Sequence, residues 1–253
     1  MAYCKSAVIL LCFGTRPEWL KIQPLTKVLK DYKLLFTGQH TDLLKDISVD
    51  YKITIGEGDN RLDQIVSDCL LQFPDGKFDS VLVQGDTASA FACALAAFNR
   101  KLKIYYLEAG LRTYNLDHPY PEEGYRQMIA RLSNVNLCPT DLSKHNLKKE
   151  KVQGELYVVG NTVLDNLLPY KEKCLVITDS GGLQEEGSFF NKKVLVCRET
   201  TERPEGITTG HLHMCATPKT LKNKFNFIKD DAIINQKCPY GDGKSSQQIK
   251  KIL

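Results

Sequence analysis

Three carboxylates and one guanidinium carry the clearest chemistry in this sequence. Asp86 comes soon after the apolar run Ser80-Val81-Leu82-Val83, and Glu108 directly follows Ile104-Tyr105-Tyr106-Leu107, so each acid sits where a buried strand stops. Glu122 falls in Pro121-Glu122-Glu123, which reads as the first turn of a helix, because proline costs no hydrogen bond there and acids suit the positive end of the dipole. Arg126 lies one helical turn beyond Glu122, on the same face. Carboxylates gathered beside an arginine tune one another's hold on a proton, which is what general acid and base work requires. A salt-bridged helix cap would use the same residues.

A second set of residues suits an anion. Arg16 and Lys21 lie at or near the start of a helix that opens with Thr15-Arg16-Pro17-Glu18, just past the first strand. A helix N-terminus with added cations suits a phosphate, and in open α/β sheets ligands bind beyond the carboxyl edge of the strands. Two surface cations are the plainer reading. Gln39 and His40 follow a short second strand, though a lone histidine is more often structural. Further on, Asp179-Ser180-Gly181-Gly182 turns from strand to helix, where two glycines let backbone N–H groups approach a phosphate and Ser180 adds a hydroxyl. Glu186, one turn along, is placed to accept from ribose hydroxyls. A bare Ser-Gly-Gly turn is a weak signal, and it is not the G-x-G-x-x-G dinucleotide fingerprint.

The elements that must position these groups alternate strand and helix, the pattern of a parallel, doubly wound sheet. Strands are expected at Ala7 to Phe13, Leu34 to Phe36, Ser80 to Val83, Lys103 to Leu107, Val135 to Cys138 and Leu156 to Val159. Helices are expected at Glu18 to Tyr32, Ala88 to Phe98, Glu122 to Leu132, Leu142 to Lys149 and Thr162 to Tyr170, with a charged, partly helical stretch up to Phe73. The first domain then closes near residue 170. Residues 171–253 read as a reduced second domain: strands at Cys174 to Thr178 and Lys193 to Cys197, a helix from Leu183 to Phe189 between them, a lysine-rich helical stretch over 218–236, and a final helix after Ser245 that packs back.

At 253 residues the chain can bury one large core or two small ones, and a formal charge of +4 with no block of like charges argues against nucleic acid or a membrane surface as partner. Nine cysteines without a Cys-x-x-Cys pair suggest neither a disulfide framework nor a metal site. No apolar run approaches the roughly 20 residues of a membrane helix. A soluble protein of a reducing, cytoplasmic compartment is the expectation.

Taken in chain order, the blocks FGTRPEWLKIQPL, TGQH, QGDTAS, EAGLRT, PYPEEGYR, VGNTVLD, TDSGGLQEE, RETTERPE and PYGDGKSS resemble the non-hydrolysing UDP-N-acetylglucosamine 2-epimerases over nearly all of residues 7–250. The resemblance implies a GT-B-like architecture of two Rossmann-like domains with a UDP-sugar in the cleft. It implies inversion at sugar C2 by elimination and re-addition of UDP, without metal or redox cofactor, feeding nucleotide-sugar and polysaccharide biosynthesis. By motif position Asp86, Glu108 and Glu122 correspond to the family's acids and bases, with Arg126 pairing among them. Arg16, Lys21, Ser180, Gly181, Gly182, Glu186 and Arg203 correspond to positions that hold the nucleotide and its diphosphate, and the TGQH block adds Gln39 and His40. Relatives are commonly homodimers through the first domain.

Two departures stand out. Tyr125 replaces the asparagine of the family's P-E-E-x-N-R block. Between VGNTVLD and TDSGGLQEE lie only Asn166 to Lys173, where the family carries several βα units with a catalytic-site histidine and uridine contacts. A βαβ unit takes about 30 or more residues, so most of a nucleotide-binding half-domain has no counterpart. No histidine replaces the missing one by motif, and His211 and His213 read as structural. Three functions stay open: an epimerase with a reduced second domain, a UDP-sugar-binding protein without turnover, and a GT-B glycosyltransferase.

Overall fold

The structure, a computed structural model, describes residues 8–40, 47–166, 175–228, 234 and 236–253. The chain divides into two compact units, Met1–Val158 and Val159–Leu253.

The first unit is built on seven parallel strands: β1 (Ile9–Phe13), β2 (Tyr32–Phe36), β3 (Tyr51–Lys52), β4 (Ser80–Gln84), β5 (Lys103–Leu107), β6 (Val135–Cys138) and β7 (Glu155–Val158). Their order is β3-β2-β1-β4-β5-β6-β7. The chain thus winds outward from β1 one way through β2 and β3, then the other way from β4 to β7. Order reverses between β1 and β4, where Leu11 of β1 pairs with both Leu34 and Leu82. The strands β1, β4 and β6 are buried along their whole length, as strands covered on both faces should be.

Among the described residues, five helices cover this sheet: α1 (Arg16–Thr26), α2 (Arg61–Leu71), α3 (Ala88–Asn99), α4 (Glu122–Leu132) and α5 (Asp141–Lys149). Side-chain caps start four of them. Thr15, Asn60, Thr87 and Thr140 each accept a hydrogen bond from a first-turn N–H, worth about 1 kcal/mol apiece. The small residues of α3 let it sit tightly on the sheet, with Ala92, Cys93, Ala94, Ala96 and Ala97 fully buried.

Several boundaries differ from the sequence reading. The first helix stops at Thr26 rather than Tyr32: Pro24 lacks the N–H its last turn would use, and Tyr32 is drawn into β2 by its register with Ile9. The two-residue β3 went unread because Tyr51-Lys52 is too short to show alternation. Ala7 lies outside the described residues.

The second unit holds three parallel strands, β8 (Val176–Thr178), β9 (Val194–Val196) and β10 (Leu212–Met214), in the order β10-β9-β8. Its helices are α6 (Gly181–Phe189), α7 (Pro204–Thr208), α8 (Pro218–Ile228) and α9 (Ser245–Lys250). A 3-10 turn at Thr162–Asn166 packs against α6 and α9. Asp165 in that turn accepts from Ser245 N at 3.1 Å and Ser246 N at 2.8 Å, which caps α9 and draws the turn into the second unit rather than the first. The rest of the helix expected up to Tyr170, the start of the strand expected from Cys174, and most of 229–236 lie outside the described residues. The helix α6 starts at Gly181, two residues earlier than Leu183, because Ser180 takes extended backbone angles and serves as its N-cap.

Candidate active site

Loops at the carboxyl ends of β1, β2, β4 and β5 line a cleft of about 300 Å³ at the reversal point of the first sheet. Its walls include Glu18, Lys21, Gln39, His40, Asp86 and Glu108. Two of the three acids singled out from sequence therefore share one cleft, at the place where open α/β sheets bind ligands.

Glu108 is held on two sides. Its Oε2 is 2.5 Å from Lys21 Nζ and also accepts from Gln84 Nε2, while its side chain is almost fully buried. Its backbone is left-handed, with φ of 68°, which a side chain adopts only when its surroundings insist. That twist turns the acid away from the line of β5 and into the cleft. Lys21 therefore neutralises a carboxylate as well as offering a cation to an anion.

Asp86 is the more open acid. Arg126 Nε donates to its Oδ2 at 2.7 Å, and the Asp86 side chain remains 29% exposed. Arg126 also pairs with Glu123, at 3.3 Å, rather than with Glu122, to which the helical spacing pointed. Position three residues back serves as well as four on a helix face. Glu123 is fully buried and accepts from Thr113 N, Tyr114 N and Gln127 Nε2, so it ties the irregular segment after β5 onto α4. Sequence reasoning passed over Glu123, although its spacing from Arg126 was the available signal.

Glu122 is the first residue of α4, and its Oε2 is buried with no hydrogen-bond partner among the described residues. It is not among the residues lining the cleft; the Asp86–Arg126 pair links that cleft to the helix on which Glu122 stands. Arg16 is exposed at the start of α1 and also lies outside the lining. Gln39 accepts from Ser89 Oγ at 2.7 Å, which ties the β2 loop to α3, and His40 is exposed.

Gly14 explains how closely these loops approach. A Cβ at this position would sit 2.1 Å from Thr37 Oγ1 and 2.5 Å from Ser89 Oγ, so only glycine fits.

In the second unit, Ser180 occupies the N-cap position of α6 without a side-chain capping bond, and Gly181 and Gly182 open its first turn. Arg203 lies directly beneath Gly181: a Cβ there would be 2.6 Å from its guanidinium. That guanidinium is buried and bonded to Glu185 Oε1 at 2.5 Å and to Glu202. Arg203 thus backs the glycine turn while carrying two acid partners of its own. Glu186 points back along the first turn, its Oε1 3.9 Å from where a Gly182 Cβ would lie. Burial lowers the proton affinity of both His211 and His213, and Thr209 Oγ1 contacts His211 Nδ1 at 2.7 Å, a structural role for that ring.

A larger hollow of about 360 Å³, lined by Tyr114, Gln127, Met128, Arg131 and Glu150, contains none of the sequence-selected acids, and its Glu150 is paired with Arg112. Among the described residues, no group of His, Cys, Asp and Glu is placed to hold a metal, and no helix is long and apolar enough to cross a membrane.

Comparison with known proteins decides the family. The model of the family described as UDP-N-acetylglucosamine 2-epimerase matches residues 26–175 and again 172–253. The chain belongs to the UDP-N-acetylglucosamine 2-epimerase family. It is similar to the UDP-N-acetylglucosamine 2-epimerase of Campylobacter jejuni, 29% identical over 370 aligned residues covering 97% of each chain. It is 35% identical over 218 residues to that of Neisseria meningitidis, covering 80% of this chain and 59% of the relative. Among solved structures, the N. meningitidis UDP-GlcNAc 2-epimerase bound to UDP-GlcNAc superposes with a TM-score of 0.88 at 27% identity, covering 97% of this chain and 99% of that one.

The two matches to the epimerase family meet at residues 172–175, at the short join between VGNTVLD and TDSGGLQEE. An alignment of 370 positions against a chain of 253 residues also leaves a long stretch of the C. jejuni relative without a counterpart. The fold is accordingly the family's GT-B-like α/β type, with a doubly wound parallel sheet in the first unit and a short parallel sheet in the second.

Proposed function

We propose that this chain interconverts UDP-N-acetylglucosamine and its C2 epimer, or a closely related UDP-N-acetyl-hexosamine, by elimination and re-addition of UDP. The observation that carries the reading is the pair Asp86 and Glu108 in one cleft at the strand reversal, each beside a cation of fixed position. One carboxylate removes the C2 proton as the anomeric C–O bond breaks, which gives a 2-acetamidoglucal and UDP. A carboxylic acid then protonates C2 from the opposite face while UDP returns to C1. Lys21 and Arg126 hold Glu108 and Asp86 in place within the cleft. Glu122, with a buried oxygen that has no partner among the described residues, is the third candidate for proton transfer.

Ser180, Gly181, Gly182 and Glu186 are assigned to the nucleotide diphosphate and ribose, with Arg203 as the support beneath Gly181 and Arg16 as a further cation. The reading takes the protein to be a cytoplasmic homodimer serving glycan biosynthesis. An odd number of scattered cysteines without a Cys-x-x-Cys pair supports the reducing compartment, and the family resemblance supports the dimer.

The test is incubation with UDP-N-acetylglucosamine in deuterated water, which is expected to place deuterium at C2. Sugar that stays unlabelled at full protein concentration overturns the epimerase reading in favour of UDP-sugar binding without turnover. That second reading draws its support from the long stretch of relatives missing at the junction.

A further inference from the structure

Glu18 also lines the cleft, and it is 2% exposed. Its two oxygens meet three donors from two different loops. Oε2 accepts from Gly14 N at 2.8 Å and Thr15 N at 2.7 Å, while Oε1 accepts from Thr87 Oγ1 at 2.6 Å. The bond from Thr15 N belongs to an ordinary capping box, in which Thr15 Oγ1 in turn accepts from Glu18 N, and Gly14 N adds to it from the residue before the cap. The third does not. Thr87 is the N-cap of α3, and its hydroxyl oxygen accepts from Ala90 N at 3.0 Å while its proton goes to Glu18. One carboxylate therefore joins the caps of α1 and α3, the helices that follow the two strands at the reversal point.

We propose that Glu18 is a positioning residue of the epimerase site: by locking the cap of α1 to the cap of α3 it sets where Asp86 and Lys21 stand relative to the reacting sugar. Asp86 immediately precedes Thr87, so the residue that fixes Thr87 fixes the loop that presents Asp86. Gly85 on its other side has φ of 75° and offers no side chain to hold that loop. Lys21 lies one turn after Glu18 on α1 and reaches across to Glu108. Both Glu18 oxygens are engaged by these two loops, which suits a positioning group rather than a reacting one. A glutamine in its place keeps the shape but offers Gly14 N and Thr15 N a neutral acceptor in place of a charged one, and turns an N–H toward Thr87 Oγ1, whose proton then loses its acceptor, so the link between the two loops is weakened.

The inference rests on the function proposed above, and the experiment separates the two. Glu18→Gln and Thr87→Val are each expected to lower kcat by roughly 10²-fold, the usual cost of a misplaced reacting group, with KM changed by no more than about threefold. The double variant should lose no more than either single one, because both break the same link. Thr87→Ser, which keeps the hydroxyl, should restore most of the rate. Amide hydrogen exchange at Gly14, Thr15 and Ala90 should quicken in Glu18→Gln whether or not the protein turns over. Losses that add, an effect confined to KM, or unchanged exchange at those amides overturns the role of Glu18. A wild-type protein that leaves the sugar unlabelled overturns the epimerase reading instead, and the exchange data then decide whether Glu18 ties the loops.

Discussion

Asp86 and Glu108 differ more in their company than in their place on the fold. Glu108 is nearly enclosed between Lys21 and Gln84, whereas Asp86 keeps contact with solvent and leans on Arg126. If both move protons, Asp86→Asn and Glu108→Gln should each lower turnover by about 10² to 10⁴, measured as C2 deuterium exchange; rates within a factor of two of wild type in both would remove the assignment. Glu123→Gln should behave differently, because Glu123 is buried beneath α4 as an anchor for Arg126 and the preceding segment. Removing one partner of a buried ion pair costs about 3 to 5 kcal/mol, so the loss should appear in urea midpoint before it appears in chemistry. Glu18 gives a pH signature. Burial raises its proton affinity above the ordinary carboxylate range despite its hydrogen bonds to Thr87, Gly14 and Thr15. A folded pKa above the unfolded one means a contribution present at low pH and lost as pH rises through the folded value. The Tm of Glu18→Gln should therefore gain on that of wild type as pH rises from about 4 toward neutrality; a constant difference would contradict the assignment. At this scale the sequence could single out candidate acids, since each ends an apolar run or begins a helix. It could not tell which neighbour Arg126 chooses, because Glu122 and Glu123 are both within one helical turn and only packing separates them. Nor could it show that Glu18 does more than cap, since Thr87 is far away along the chain.

Among elements, those that were easiest to read are the ones with a strong local signature. The strand β5 and helix α4 fall on their expected residues, because an apolar β-branched run and a proline-acid helix start leave little to tertiary context. The end of α1 was not legible: residues 27–31 have helical composition, and only the pairing of Tyr32 with Ile9 pulls the chain into β2. Gly14 shows how such elements are brought close. Gly14→Ala must push Thr37 and Ser89 apart, and their hydroxyls are bonded to each other at 2.7 Å. The expected cost is about 1 to 3 kcal/mol in denaturant unfolding; an unchanged midpoint would show that the loop relaxes freely.

Across the whole molecule, the resemblance in ordered blocks identified the family, and the break in the family match coincides with the short join at residues 172–175. What composition could not reveal is how little the second unit has to hold it together. Its sheet has three strands of three residues each, with small apolar clusters around Val194, Leu195 and Tyr240. Small cores leave little margin. Amides of β8, β9 and β10 should exchange faster than those of β1, β4 and β5, and UDP should slow them if it binds α6. Equal protection in the two sheets without ligand would show that the short unit draws its stability from elsewhere. The position of Arg203 has a consequence for that ligand. Its positive charge is already balanced by Glu185 and Glu202 inside the unit, so an incoming anion at α6 would meet oriented peptide dipoles more than a mobile cation. The pull of a helix end on an anion is itself screened by dissolved ions, and titration of UDP in dilute and in concentrated potassium chloride should return a larger dissociation constant at high salt.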